Sequence, residues 1–317
     1  MTARSTAAAP QAGLTPLLLQ LERRLSLSSG EASRLLHRFD KSLPQWTQIS
    51  IDYFHPILLV SLHVEHSAPA LEALWDGLER AGARFGVTAI ACQSFILSPS
   101  PMQVMRGSMP DQLMARENGL RFGLVPGARG LTGFALEYTG ARRWLATAAA
   151  GKRVLNLFAD TCVFSVVARA NGASHVVNLG PSAAALRQGQ QNHQSNGLSG
   201  GVSYLSHNLF ESWGRLRRSG PFDVIIVSPP NGKTDSFAAE RDYPRIINKL
   251  PALCAASAEI LLCLDSPQLE SRFLFDAVAE HAPGLLFQQH LSPAAGFVEG
   301  ARDQTLKLMR FTYRDSM

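Results

Sequence analysis

Apolar residues at Leu14, Leu17, Leu18, Leu21 and Leu25 recur at helical spacing until Ser28-Ser29-Gly30, so a helix is predicted over 14–27. A second helix is predicted over Glu31 to Phe39. The period then shortens. Ile49-Ser-Ile-Asp-Tyr-Phe54 and Ile57-Leu-Leu-Val-Ser-Leu-His-Val64 read as strands around His55-Pro56, and Ala70 to Gly82 reads as an amphipathic helix with Leu71, Leu74, Trp75 and Leu78 inward. Together these make a small α/β region. Ser98-Pro-Ser-Pro101 breaks the pattern, and Glu117 to Leu145 reads as strands and turns.

From Gly151 onward apolar runs and amphipathic segments alternate regularly, with strands predicted near 153–158, 175–179, 202–205, 222–227, 258–264, 285–290 and 306–313. The last two have no helix pattern between them and are expected to form an antiparallel hairpin. Val154-Leu-Asn-Leu-Phe-Ala-Asp-Thr-Cys-Val-Phe-Ser-Val166 is a buried strand breaking into a tight loop and an apolar helix start, the first βα unit of a doubly wound sheet. The expected fold class is α/β, a Rossmann-like seven-stranded domain with a smaller N-terminal α/β region. Its divisions are a disordered tail over 1–13, a helical and α/β region over 14–112, a hairpin connector or lid over 113–150, and the Rossmann-like domain over 151–317.

Composition narrows the classes. With 317 residues, 46% of them hydrophobic, the chain can bury a sizeable core. No apolar run reaches the roughly 18 residues of a bilayer span, and the Ala/Ser/Pro-rich start lacks the apolar centre of a signal peptide. A cytoplasmic protein without membrane partners is the expectation. Cys92, Cys162, Cys254 and Cys263 have no paired close spacing, so neither a metal site nor a disulfide framework is indicated. The net charge of +5 invites a nucleic-acid reading, yet the arginines lie in scattered twos and threes, Arg142-Arg143 and Arg215, Arg217, Arg218 being the densest. A phosphate-tracking surface needs clustered cations, so RNA is possible on charge but not favoured over a small-molecule substrate.

Several loops together carry a resemblance. Thr132-Gly-Phe-Ala-Leu-Glu137, Leu155-Asn-Leu-Phe158, Asn192-His193 with Asn196-Gly197, Ser206-His-Asn-Leu-Phe210 and Val227-Ser-Pro-Pro230 resemble the class I methyltransferase family that includes bacterial 23S rRNA cytosine methyltransferases. The likeness extends from about residue 50 to the end. It implies S-adenosylmethionine as cofactor, bound beyond the carboxyl ends of the strands. Asn156, Phe158, Asp160, Thr161, Asn178, Ser182, Asn208, Ser228 and Pro229 are the candidate binding residues. Asp160, Thr161 and the following helix N-terminus would meet the amino-acid end, Asn178 or Ser182 the ribose, and Asn208 the adenine edge.

At the expected chemistry the chain departs from that family. Gly180-Pro181 stands where the resemblance implies an acidic residue closing the second strand, Ser228 where it implies Asp before Pro-Pro, and Asn231-Gly232 where an aromatic should follow. Asp160 replaces an aromatic, Asn208 an Asp, and Glu137-Tyr138 an Asp-Met pair. The altered site is similar in kind to azetidine-2-carboxylate synthases, whose reaction needs no outside acceptor. The leading expectation is therefore internal cyclisation of S-adenosylmethionine, with release of methylthioadenosine, for nonribosomal peptide synthesis. Candidate catalytic residues are Phe134 and Tyr138 as a wall for the sulfonium, worth about 0.5–2 kcal/mol each, Glu137 or Asp160 as proton acceptors, and Ser228 and Asn231 beside them. Methyl transfer to rRNA or a small molecule is the alternative, and a non-catalytic binding protein the second.

Overall fold

The computed structural model describes residues 13–40, 42–96, 101–127, 130–230, 237–292 and 306–315. Two compact units divide the described chain between Leu136 and Glu137. The expected tail before Gly13, most of the Ser98 to Pro101 break, and Asn231 lie outside the described residues.

The first unit opens with α1 (Leu14–Ser28), whose buried face is Leu14, Leu17, Leu21 and Leu25. Its five-stranded sheet runs in the order β1 (Ser33–Leu36), β2 (Ile49–Phe54), β3 (Ile57–Leu62), β4 (Ala89–Ser94), β5 (Gln103–Gly107). Helix α2 (Ala68–Ala83) crosses between the parallel pair β3 and β4 and buries Leu74, Trp75 and Leu78. The helix predicted over 31–39 is instead β1, because that segment lacks a helical apolar stripe and pairs antiparallel with β2. Arg34 secures the pairing with two hydrogen bonds to Asp52, at 2.6 and 2.8 Å. Two small hairpins follow, β6 (Met114–Glu117) with β7 (Leu120–Gly123) and β8 (Val125–Gly127) with β9 (Gly130–Thr132).

The second unit begins with α3 (Thr139–Ala148), where strands and turns were expected. Thr139, Ala141, Arg142 and Leu145 recur on one buried face, a helical pattern that Gly140 and Arg142-Arg143 obscure in the sequence. The hairpin connector expected over 113–150 therefore ends before this helix. Seven strands follow: β10 (Arg153–Leu157), β11 (His175–Gly180), β12 (Val202–Ser206), β13 (Phe222–Val227), β14 (Cys254–Asp265), β15 (Leu285–His290) and β16 (Leu306–Arg314). Their order is β12-β11-β10-β13-β14-β16-β15; the first five are parallel and β16 runs antiparallel between β14 and β15. Helices α4 (Val163–Ala170), α5 (Ala183–Ser195), α6 (Trp213–Ser219), α7 (Ala239–Ile247) and α8 (Ser271–His281) make the crossovers. On one face of the sheet Leu155, Leu157, Ile225, Val227, Ile260 and Leu262 pack with Tyr243, Ile246 and Leu274 into the main core. Strand order reverses at β10, which fixes the switch point between the ends of β10 and β13.

Candidate active site at the carboxyl edge of the parallel strands

The chain leaves β10 through three residues with positive φ, Phe158 at 59°, Asp160 at 42° and Cys162 at 61°. Left-handed backbone is costly for such side chains and persists only where surrounding contacts enforce it. Here Ala159 N–H donates to the Leu179 carbonyl at 3.0 Å, and Cys162 N–H donates to the Ala159 carbonyl at 2.7 Å. Gly189 completes the cradle. A Cβ there would lie 2.4 Å from Cys162 Sγ, so only glycine lets α5 approach the loop this closely. The turn delivers the chain into α4, whose N-terminus has no side-chain cap. Its first amides can therefore meet an anionic ligand group.

Beneath the loop runs a buried polar chain. Asn156 Nδ2 donates to Asn178 Oδ1 at 2.9 Å, and Asn178 Nδ2 donates to Ser165 Oγ at 2.9 Å. His193 continues it: in the tautomer that satisfies both neighbours, Nε2 accepts from Ser165 Oγ at 3.0 Å and Nδ1–H donates to the Gly189 carbonyl at 2.8 Å. Burial lowers the His193 pKa, in keeping with a neutral ring, and pushes the neighbouring Tyr204 phenol, 3.0 Å from Nδ1, up to about 12. Asn192 Nδ2 ties the same helix to the loop through the Thr161 carbonyl at 3.0 Å.

At the edge itself Asp160 is exposed, yet desolvation of its carboxyl raises its pKa above the ordinary carboxylate value. Gly180 closes β11; a Cβ there would meet Ala159 N at 3.5 Å and Asp160 N at 3.7 Å, ordinary contacts that leave room for a side chain. Ser182 is exposed and caps α5 by accepting from Ala185 N–H at 3.1 Å. Asn208, also exposed, spends Oδ1 on Phe210 N–H at 2.9 Å, a bond that leaves the amide donors unused. Ser228 is half-buried at the end of β13 and Pro229 is buried beside it. Tyr138 is buried, near Ser228 and edge-on to Phe164 at 5.8 Å between ring centres. Desolvation and the neighbouring Cys263, Asp265 and Glu137 hold its phenol well above the usual tyrosine range.

The geometry redistributes the expected roles. Asp160, Ser182, Asn208 and Ser228 stand at the strand ends. Asn156 and Asn178 do not line that edge, because both are buried inside the sheet, where Asn178 is spent on Asn156 and Ser165 and the Asn156 Oδ1 meets no hydrogen-bond donor among the described residues. Thr161 is buried, and Phe158 is half-buried and packs edge-on to Phe237 at 5.3 Å. Phe134 belongs to the first unit and packs against Phe122 at 5.0 Å, whereas Glu137 and Tyr138 belong to the second. His193, which the sequence offered only as part of the resemblance, supports the loop from below together with Ser165, to which the sequence reading assigned no role. The buried Lys307 ammonium, which donates to the Ser266 carbonyl just beyond β14, escaped the sequence reading. Ser165 is one small polar residue in the apolar helix α4, and only its pairing with Asn178 gives it away. Lys307 comes to that edge through the antiparallel register that sets Asp265 opposite Leu306.

The description of S-adenosylmethionine-dependent methyltransferases matches residues 33–312, and the chain belongs to that family. Its cofactor is S-adenosylmethionine. A ribosomal RNA large subunit methyltransferase I from Aeromonas salmonicida (strain A449) is 32% identical over 186 residues, a match that covers 56% of this chain and 46% of that protein. The chain thus aligns with about half the length of this relative. A putative SAM-dependent methyltransferase from Streptococcus mutans superposes with a TM-score of 0.83 at 17% identity, covering 98% of this chain and 83% of that one. SMU.776, a putative methyltransferase complexed with SAH, gives 0.83 at 18% identity with the same coverage. At these identities the structures speak for the fold alone. The relatives support the methyltransferase alternative; the expected cyclisation to azetidine-2-carboxylate and its place in nonribosomal peptide synthesis find no support among them.

Proposed function

We propose that this protein transfers a methyl group from S-adenosylmethionine to ribosomal RNA. The observation that supports this most is the β10–α4 turn. It keeps three left-handed residues and an uncapped helix N-terminus at the switch point, in a chain whose relatives include a protein named as a ribosomal RNA methyltransferase. The residues present fit the cofactor. Asp160 and the first amides of α4 would hold its amino-acid end, Ser182 a ribose hydroxyl, and the Asn208 amide the adenine edge. When bound, S-adenosylmethionine supplies a methyl group activated by the sulfonium. A neutral Tyr138 phenol near Ser228 would help orient that hydroxyl toward an incoming acceptor without adding charge.

The missing carboxylate at Gly180 leaves neutral hydrogen bonds at the ribose, which are roughly half as strong as charge-assisted ones. Weaker cofactor binding than a carboxylate-bearing site would give is the consequence. The test is incubation with ribosomal RNA and S-adenosylmethionine labelled in the methyl group, followed by mass spectrometry of the RNA nucleosides. A labelled nucleoside supports the reading, and cofactor turnover without label in the RNA rejects it.

A further inference from the structure

We propose that one end of the first unit's sheet is a stacking platform for single-stranded RNA, an inference that rests on the RNA reading above and gives it a contact surface. Three hydrogen bonds gather the ends of neighbouring strands there. Gln48 N–H donates to the Arg38 carbonyl at 2.8 Å, His63 N–H to the Gln48 carbonyl at 3.0 Å, and Phe95 N–H to the Leu62 carbonyl at 2.8 Å. Segments remote in sequence thereby present their rings on one strip.

Two phenyl rings stand out of it, Phe39 at 43% and Phe95 at 41% exposure. The Phe95 ring is already in a stack that a base could extend, and the Phe39 ring carries a guanidinium. The His63 ring lies flat against Phe95, with centres 5.0 Å apart and planes 7° from parallel. The Arg38 guanidinium sits 4.6 Å from the centre of the Phe39 ring, with His37 at 5.4 Å on a tilted face. Burial and the neighbouring Arg34 and Arg38 lower the pKa of both histidines, His37 to about 4, so these rings are uncharged at neutral pH and the positive charge is the guanidinium's.

Flat aromatic and imidazole faces interleaved with guanidinium are what unpaired bases and their phosphates require, since every base has a π-face and the backbone is anionic. Val64 and Ile96 beside these rings are exposed as well, so the guanidinium over Phe39 and the imidazole stacked on Phe95 are what favour bases and phosphates over a protein partner. Arg34 is held by Asp52 and braces the strip.

Fluorescence anisotropy with the full chain and a labelled 12-nucleotide single-stranded RNA tests this, with the same sequence as a duplex for comparison. Phe39→Ala and Phe95→Ala are each expected to weaken single-strand binding by about five- to 150-fold, with unchanged melting temperatures. Phe95→Tyr, which keeps the ring, is expected to retain affinity. Arg38→Ala is expected to reduce the slope of log affinity against log salt by about 0.7. Leu27→Ala, at an exposed site on α1, serves as the control. If wild-type protein binds the strand and the ring-deleted variants bind equally well, the platform is rejected while the RNA reading stands. If wild-type protein binds no RNA at low salt, both are rejected.

Discussion

The Asn178 amide donates to the Ser165 hydroxyl at 2.9 Å, joining the second strand of the parallel run to the helix that follows the first. Ser165 in turn donates to His193, so one hydroxyl links β11, α4 and α5 beneath the β10–α4 loop. Ser165→Ala leaves both the Asn178 amide and His193 Nε2 short of a partner in a buried setting. The expected loss is about 1–3 kcal/mol of stability, read as a lower denaturant midpoint at unchanged slope. An unchanged midpoint would show that the chain of hydrogen bonds is not a support.

Asp160 links stability to pH in a stated direction. Its folded pKa is raised by desolvation, so between the ordinary carboxylate pKa and the folded value the folded state binds more protons than the unfolded one. Stability attributable to this group therefore falls as pH rises through that window and stays low above it. Asp160→Asn is expected to be more stable than wild type at pH 7, with the difference disappearing as pH drops below the carboxylate range. The same variant is expected to bind S-adenosylmethionine at least about tenfold more weakly at pH 7, from loss of a charge-assisted hydrogen bond. Thermal scans across pH and calorimetry read the two effects separately, and tighter cofactor binding by the variant would contradict the assignment.

Gly180 offers the reverse experiment. A Cβ at this position makes only ordinary contacts with the Ala159 and Asp160 amides, so Gly180→Asp is expected to fold. If the ribose lies over this strand end, the new carboxylate should tighten S-adenosylmethionine binding by about 1.5 kcal/mol or more, roughly tenfold by calorimetry. Unchanged or weaker affinity with intact stability would move the ribose elsewhere.

Tyr138→Phe removes the hydroxyl near Ser228 and keeps the ring against Phe164. Turnover is expected to fall about tenfold while cofactor affinity holds, because an interaction that positions only the acceptor acts on the rate and not on cofactor binding. Equal turnover in wild type and variant would assign Tyr138 to packing.

The strands of the second unit were legible from their regular alternation with helical segments, and Phe222 to Val227 was the clearest because it is the short, nearly continuous apolar run that a buried parallel strand requires. Local pattern failed where tertiary partners decide. Ser33 to Leu36 is a strand because β2 accepts it, and Thr139 to Ala148 is a helix because one face is buried. In the site, the loop and strand ends were readable, but Asn178 was not. It lies two residues inside the strand end, and its amide is spent on Asn156 and Ser165. The RNA surface was unreadable for a similar reason: arginines and rings scattered along the chain meet only when three strand ends align.

Methyl transfer to RNA and internal cyclisation are distinguished by the leaving group. The protein is incubated with S-adenosylmethionine alone and with ribosomal RNA, beside a no-protein control, and the nucleoside products are separated by chromatography. S-adenosylhomocysteine that forms only when RNA is added is the expected result. Methylthioadenosine formed by the protein and cofactor alone, together with azetidine-2-carboxylate, would contradict it.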